Sequence, residues 1–303
     1  MRSPLLPALA LAVAASIFAP APASAQGWRD FRVARQAGDI ESLDVELLYG
    51  AGRLSVEPSG APFLYDARVR YDTERFQPVR AWEVDGGHGR FRLALTSVDD
   101  ETSSATVRLE DWDVDFDLED LRDSGNELGE LEFELHPRIP TRLRLGIGAA
   151  RSRLELGGLS LSSLEILTGA SETDLAFSEP NRVSMSELVL KAGAADFEAE
   201  GLGNARFERL EFKGAIGDVS LDFSGEWTRD ATANITMGVG ELAIRIPEEI
   251  AVRIVRSSLL IKLDAPGFER VDRSYVTPNW DTAEIHLEIE LEAAFGTVEV
   301  ERF

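Results

Sequence analysis

The side chains of this chain best placed to do chemistry are carboxylates spaced two residues apart. The densest run is Asp111-Trp112-Asp113-Val114-Asp115-Phe116-Asp117. On an extended strand, residues two apart share a face and stand about 7 Å from one another. Four carboxylates would then line one face as a candidate cation ladder, with Trp112, Val114 and Phe116 packed behind. A calcium-binding EF-hand loop needs Gly at its sixth position and Glu at its twelfth. Those positions hold Phe116 and Arg122, so the run reads as a solvated sheet face without a tight calcium site.

A second acidic set is spread along the chain. Glu155, Asp174, Glu198 and Asp222 fall near matching positions of a repeat, and Asp196 and Asp218 make a shorter stripe. Glycoside hydrolysis uses two carboxylates at defined separations, so stacked acids admit a carbohydrate-active β-helix enzyme as the alternative function. An outward face kept polar for solubility is the preferred reading. The chain has three histidines, His88, His136 and His286. Their scatter gives no zinc-ligand spacing, and no Gly-x-Ser-x-Gly elbow marks a nucleophilic serine. Trp227, Phe223, Tyr275 and Trp280 could stack on sugar rings, but aromatics of this kind more often cover the open end of a stack. No catalytic, cofactor-binding or metal-binding residue is assigned, and no cofactor is expected.

The elements that must position these groups are strands. Period-2 alternation dominates. Leu143-x-Leu145, Leu164-x-Ile166, Leu188-x-Leu190, Leu210-x-Phe212, Ala233-x-Ile235 and Val252-x-Ile254 form one series, with steps of 21, 24, 22, 23 and 19 residues. A parallel series runs through Leu154-x-Leu156, Leu175-x-Phe177, Phe197-x-Ala199, Val219-x-Leu221, Leu242-x-Ile244 and Ile261-x-Leu263, with steps of 21, 22, 22, 23 and 19. Between them lie small-residue corners: Gly148-Ala149, Gly169-Ala170, Gly193-Ala194, Gly214-Ala215 and Gly238-Val239. Each period reads as strand, corner, strand and a looser connection such as Ser178-Glu179-Pro180-Asn181. One such unit cannot stand alone. Ordering about 22 residues costs on the order of 30 kcal/mol, against roughly 6 to 12 from four inward apolar side chains. The units must therefore stack, as in a solenoid.

The half-unit recurs as Val45-x-Leu47, Gly50-Ala51-Gly52 and Leu54-x-Val56 near the start, and more loosely as Ile289-x-Leu291 and Val298-x-Val300 near the end. The stretch from Pro62 to His136 is strand-like but less regular. In it, Asp85-Gly86-Gly87-His88-Gly89 is a hairpin signal.

Composition bounds the setting. Arg2, the apolar run Leu5 to Phe18 and Ala23-Ser24-Ala25 have the form of an export signal, with cleavage expected before Gln26. The run is shorter than the roughly 20 residues of a spanning helix, so no stable membrane insertion is expected after cleavage. There is no cysteine, which removes thiolate metal sites and cysteine nucleophiles. The excess of 54 Asp+Glu over 31 Lys+Arg argues against nucleic acid, whose phosphates need clustered positive charge.

On Tyr49-Gly50-Ala51-Gly52-Arg53-Leu54-Ser55-Val56, the Gly-Ala corners, Leu221-Asp222-Phe223-Ser224-Gly225-Glu226-Trp227, Gly238-Val239-Gly240-Glu241-Leu242-Ala243-Ile244 and Phe295-Gly296-Thr297-Val298-Glu299-Val300, the chain resembles the toast-rack family of exported bacterial proteins. It is also similar to the C-terminal domain of LiaF-type cell-envelope stress proteins. The resemblance implies an extracytoplasmic β-helix-like fold and no established catalytic residues.

The expectation is an all-β chain with a signal peptide over 1–25, an irregular β section over 26–140 and a β-solenoid over 141–303 with coils of about 22 residues. The expected function is that of a non-enzymatic periplasmic or extracellular scaffold or binding module, in envelope-stress sensing or adhesion. Its expected partner is an envelope protein or a polysaccharide.

Overall fold

The structure, a computed structural model, describes residues 27–97, 129–257 and 262–303. The expected export signal and the Asp111–Asp117 run lie outside the described residues. No helix among the described residues is long and apolar enough to cross a membrane.

The chain is all-β. The first part holds β1 (Trp28–Gln36), β2 (Ser42–Pro58), β3 (Phe63–Asp72), β4 (Phe76–Asp85), β5 (His88–Ser97) and β6 (Glu130–Leu135). Next come β7 (Thr141–Glu155), β8 (Leu161–Thr168), β9 (Glu172–Ala176), β10 (Met185–Ala194), β11 (Asp196–Glu200), β12 (Phe207–Asp222) and β13 (Ala231–Ile246). β14 (Ala251–Arg256), β15 (Lys262–Asp264), β16 (Glu269–Val271), β17 (Ser274–Val276) and β18 (His286–Arg302) complete it.

These strands form two ladders. The first runs β5–β2–β7–β8–β10–β12–β13–β18–β14, all parallel. The second runs β6–β2–β7–β9–β11–β12–β13–β18–β15, also parallel. The long strands β2, β7, β12, β13 and β18 bend at a corner and serve both ladders. Antiparallel strands finish the ends: β4 pairs with β5, β1 and β6 both pair with β3, and β17 pairs with β14 and β16. The β4–β5 turn is the expected hairpin, and Gly86 and Gly87 supply its two positive φ angles of 54° and 84°.

Inward side chains of both ladders meet in one hydrophobic core. Leu143, Leu164, Leu188, Leu210, Ala233 and Ile289 stack on one wall, and Leu154, Leu175, Ala199, Leu221, Ile244 and Val300 on the other; each is at most 1 % exposed. Each buried Leu or Ile contributes roughly 1.5 to 3 kcal/mol, and the outward positions alternate polar, which fixes the face of every strand.

The register corrects the expected series in three places. Leu175 pairs with Ala199 where Phe197 was expected. A two-residue slip leaves every side chain on the same face, so alternation cannot detect it. Ala233 pairs with Ile289, and Val252-x-Ile254 lies beyond it, paired to β18. Periodicity records which residues face inward but not the order in which strands are laid down. The corner of β12 is Ala215-Ile216-Gly217, since Ala194 pairs with Ile216 and Ile216 with Val239, whereas Gly214 lies inward beside Met237. With these corrections both ladders advance by the same steps of 21, 24, 22, 23 and then 56 residues. The ladder between β2 and β7 spans the expected boundary at residue 140.

Candidate functional site

The outward face of β5, β2 and β7 carries a lattice of alternating charge. Asp44 lies between Arg90 and Arg142, and Glu46 lies between Arg92 and Arg144, because parallel register puts these residues side by side. They line a cleft of about 210 Å³ together with Glu83 and Ala81. Arg92 Nε donates to Glu46 Oε2 at 2.7 Å, while Glu46 Oε1 is buried with no hydrogen-bond partner. Arg144 lies 3.5 Å from Glu165. Arg142 and Arg90 approach Asp44 and Glu83 only to 3.9 and 4.0 Å, so both keep guanidinium donors free to turn toward a ligand. Contacts of this exposed kind contribute about 1 kcal/mol or less; the fixed spacing of the groups matters more than their pairing energy.

At one edge of this lattice the fold assembles a trio that the sequence did not announce. Ser42 Oγ lies 2.8 Å from His88 Nδ1, and His88 Nε2 lies 3.2 Å from Asp44 Oδ2. Direct pairing of Ser42 with His88 across β2 and β5 brings them together. Hydrolytic triads are recognised by geometry and roles, and here two features depart from that pattern. Asp44 meets the imidazole at ion-pair range and shares itself with Arg142. Ser42 sits in a regular strand, with its own N–H directed at the Gly87 carbonyl, and not at a strand-to-helix elbow. The trio ties the β4–β5 hairpin to β2.

The expected acidic stripes are partly assembled on the second ladder. Asp174 pairs with Glu198, and Glu172 with Asp196; Asp218 pairs with Glu241. Glu155 instead lies beside Ala176 and binds the Ser178 hydroxyl at 2.9 Å, while Asp222 accepts from Arg245 at 2.7 Å. Asp174, Asp196, Glu198 and Asp218 are exposed on an open face. An acid and a base gain distinct roles when their surroundings differ, and these carboxylates share one solvated surface.

The histidines do not come together in one site. Burial pushes the His136 imidazole below its ordinary range, and its Nδ1 accepts from the Arg138 N–H at 3.2 Å. His286 is held by the Trp280 carbonyl at 2.9 Å and by Asp230 at 3.5 Å. Trp280 meets that imidazole in a T-shaped contact, with ring centroids 4.8 Å apart, and the Arg253 guanidinium lies over its ring at 4.2 Å. Trp227 donates to the Phe223 carbonyl at 2.8 Å and packs on Phe207 and Phe223. Tyr275 is half-buried against the core. These rings support the fold.

The family model for the N-terminal domain of toast_rack matches residues 24–198 and 180–245. The chain belongs to the toast-rack family. No curated protein matches it in sequence. Two solved structures are similar to the toast-rack chain. One, a suspected cell adhesion protein from Clostridium sporogenes, has 17 % identity and a TM-score of 0.47, covering 91 % of this chain and all of that one. The other, a suspected adhesin from Bacteroides fragilis, has 11 % identity and a TM-score of 0.37, covering 90 % of this chain and 97 % of that one. Likeness at this level does not bear on what the toast-rack chain binds.

Proposed function

We propose that this toast-rack chain is a non-enzymatic scaffold or binding module that works outside the cytoplasm, in envelope-stress sensing or adhesion, and that its ladders are the walls of a β-solenoid. The matched steps of the two ladders support the solenoid. Residues 1–25, with their export-signal form, support the location. The observation that carries the binding role is the Arg90–Asp44–Arg142 face. Its charged groups are held in register by strands fixed from behind by the core, around an open cleft, with two guanidiniums only loosely engaged. Such a face suits an envelope polysaccharide or an envelope protein with complementary charge.

The test measures binding of the purified chain to fractionated envelope polysaccharide and to solubilised envelope proteins, with Arg90→Glu plus Arg142→Glu as the control. The expected result is binding by the wild type, at least tenfold weaker in the double variant, without turnover of either material. Binding unaffected by the double variant would move the site elsewhere and overturn this reading. Hydrolysis of esters or glycans that disappears in Ser42→Ala or Asp174→Asn would overturn the non-enzymatic assignment.

A further inference from the structure

The corner shared by β12, β13 and β18 carries an apolar ridge. Ile216 pairs with Val239 and Val239 with Phe295, and the three are 60 %, 47 % and 60 % exposed. Ala194 continues the row beside Ile216. The backbone builds this ridge deliberately. Gly217, Gly240 and Gly296 follow the three residues with φ of 136°, 142° and 132°, and a Cβ at Gly240 or Gly296 would overlap the carbonyl of the glycine on the adjacent strand. That kink turns Ala215 and Ile216, and likewise Ala294 and Phe295, outward together. Large apolar side chains in a contiguous exposed row mark an interaction surface.

The flanks of the ridge identify the partner. On one side, three residues before the ridge, stand Lys191, Lys213, Thr236 and Glu292 in register. On the other, two residues after it, stand Asp196, Asp218, Glu241 and Thr297; Asp218, Glu241 and Thr297 pair in order, and the Phe197–Val219 pairing sets Asp196 beside Asp218. A half-turn about an axis parallel to the ridge brings the first flank of one copy against the second flank of another. Strand by strand, Lys191 then faces Asp196, Lys213 faces Asp218, Thr236 faces Glu241 and Glu292 faces Thr297. No like charges oppose. An isologous contact requires this kind of self-complementary patch.

We propose that the ridge is a self-association surface, on which a second copy of this chain packs Ile216, Val239 and Phe295 against the same residues. The two stacks lie side by side and parallel about a two-fold axis. This inference rests on the ladders and the corner, independently of any ligand on the Arg90–Arg142 face.

Sedimentation equilibrium and light scattering of the purified protein, from micromolar to several hundred micromolar, test it. The wild type is expected to double its mass with rising concentration. Phe295→Glu should weaken association at least tenfold with the thermal midpoint unchanged, since the side chain is exposed. Lys213→Glu should weaken it, and Lys213→Glu combined with Asp218→Lys should restore it, because the swap re-forms both pairs across the axis. A monomer at every concentration, or association indifferent to Phe295→Glu, would overturn the proposal. Association that the charge swap fails to restore would overturn the two-fold arrangement. A folded monomer whose ridge instead captures a different protein would also count against it.

Discussion

Asn181 and Leu161 bind one another twice: the Asn181 side-chain carbonyl accepts from the Leu161 N–H at 2.8 Å, and its NH2 donates to the Leu161 carbonyl at 2.8 Å. The same NH2 reaches the Val183 and Ala205 carbonyls at 2.8 and 3.4 Å. Asn181 is fully buried. Its carboxamide therefore acts as a piece of ladder where the backbone turns from β9 toward β10. The segment Ser178 to Asn181, expected as a looser connection, is tied on both sides.

Replacing Asn181 by Leu should then strand the Leu161 N–H and several carbonyls away from water. Each buried polar group left unpaired costs about 1 to 3 kcal/mol, so a loss of roughly 3 kcal/mol or more is expected in urea melts. A loss below about 0.5 kcal/mol would show that water replaces the carboxamide and that this corner is open.

The register itself is tested at Phe212, which is wholly buried between Leu190 and Ile235, and at its outward neighbour Glu211, ion-paired with Lys213. Phe212→Asp should cost roughly 4 kcal/mol or more by burying an unpaired carboxylate and deleting a large ring. Glu211→Ala should change stability by about 0.5 kcal/mol or less. Gly240→Ala should be severe as well, since its Cβ has no room against Gly217. Denaturant midpoints of the three variants decide it, and equal effects at 211 and 212 would refute the assignment of faces.

Acid sensitivity should centre on Asp66. Its carboxylate is buried, and the hydrogen bond from Arg32 at 2.8 Å, with Arg68 at 3.1 Å, holds it below the usual carboxylate range. A depressed folded-state pKa gives stability that is present above the unfolded value near 3.9 and is lost as pH falls through the folded value. Asp66→Asn should therefore cost about 2 kcal/mol near neutral pH, and its melts should converge with the wild type as pH falls below the unfolded value and through the depressed folded one. A gap that stays constant from pH 7 to pH 2 would remove Asp66 from the acid transition.

The place of β18 makes a sharper contrast. Ile289 is flanked by Ala233 on one side and Ile254 on the other and is fully buried. Ile289→Asp should unfold the chain as drastically as Phe212→Asp. Leu263→Asp, at the half-buried edge strand β15, should cost roughly 1 kcal/mol. Circular dichroism melts separate the two, and similar midpoints would place β18 at the edge.

Alternation made the inward residues of both ladders legible, from Leu143 through Val300, because burial on one side of a strand leaves a period-2 trace. The hairpin at Gly86-Gly87 was legible because only a few residue types tolerate its dihedral angles. What alternation could not carry is any displacement by an even number of residues, hence the slip at Leu175, or the spatial order of strands, hence the placement of Val252. The Ser42–His88–Asp44 trio was hidden for a related reason. His88 is 46 residues from Ser42 in sequence and meets Ser42 and Asp44 only through the β2–β5 pairing, which no local motif signals. Asn181 was hidden by its residue type, since an asparagine after a proline ordinarily marks an exposed turn.

The insertion of β18 between β13 and β14 also sets a condition on how the molecule can be made. During synthesis β14 leaves the ribosome well before His286, the first residue of the strand it must lie against. Ile246 and the rest of β13 are equally without their outer neighbour until then. Growth of the stack cannot simply follow the chain from one end to the other, as nearest-neighbour propagation would allow. β14 and β15 must wait for a wedge that comes last, and until then β14 has only its antiparallel partner β17. A chain halted between residues 246 and 286 presents the whole length of β13 as an unprotected edge, which makes incomplete copies sticky and gives proteolytic surveillance a clear mark to read.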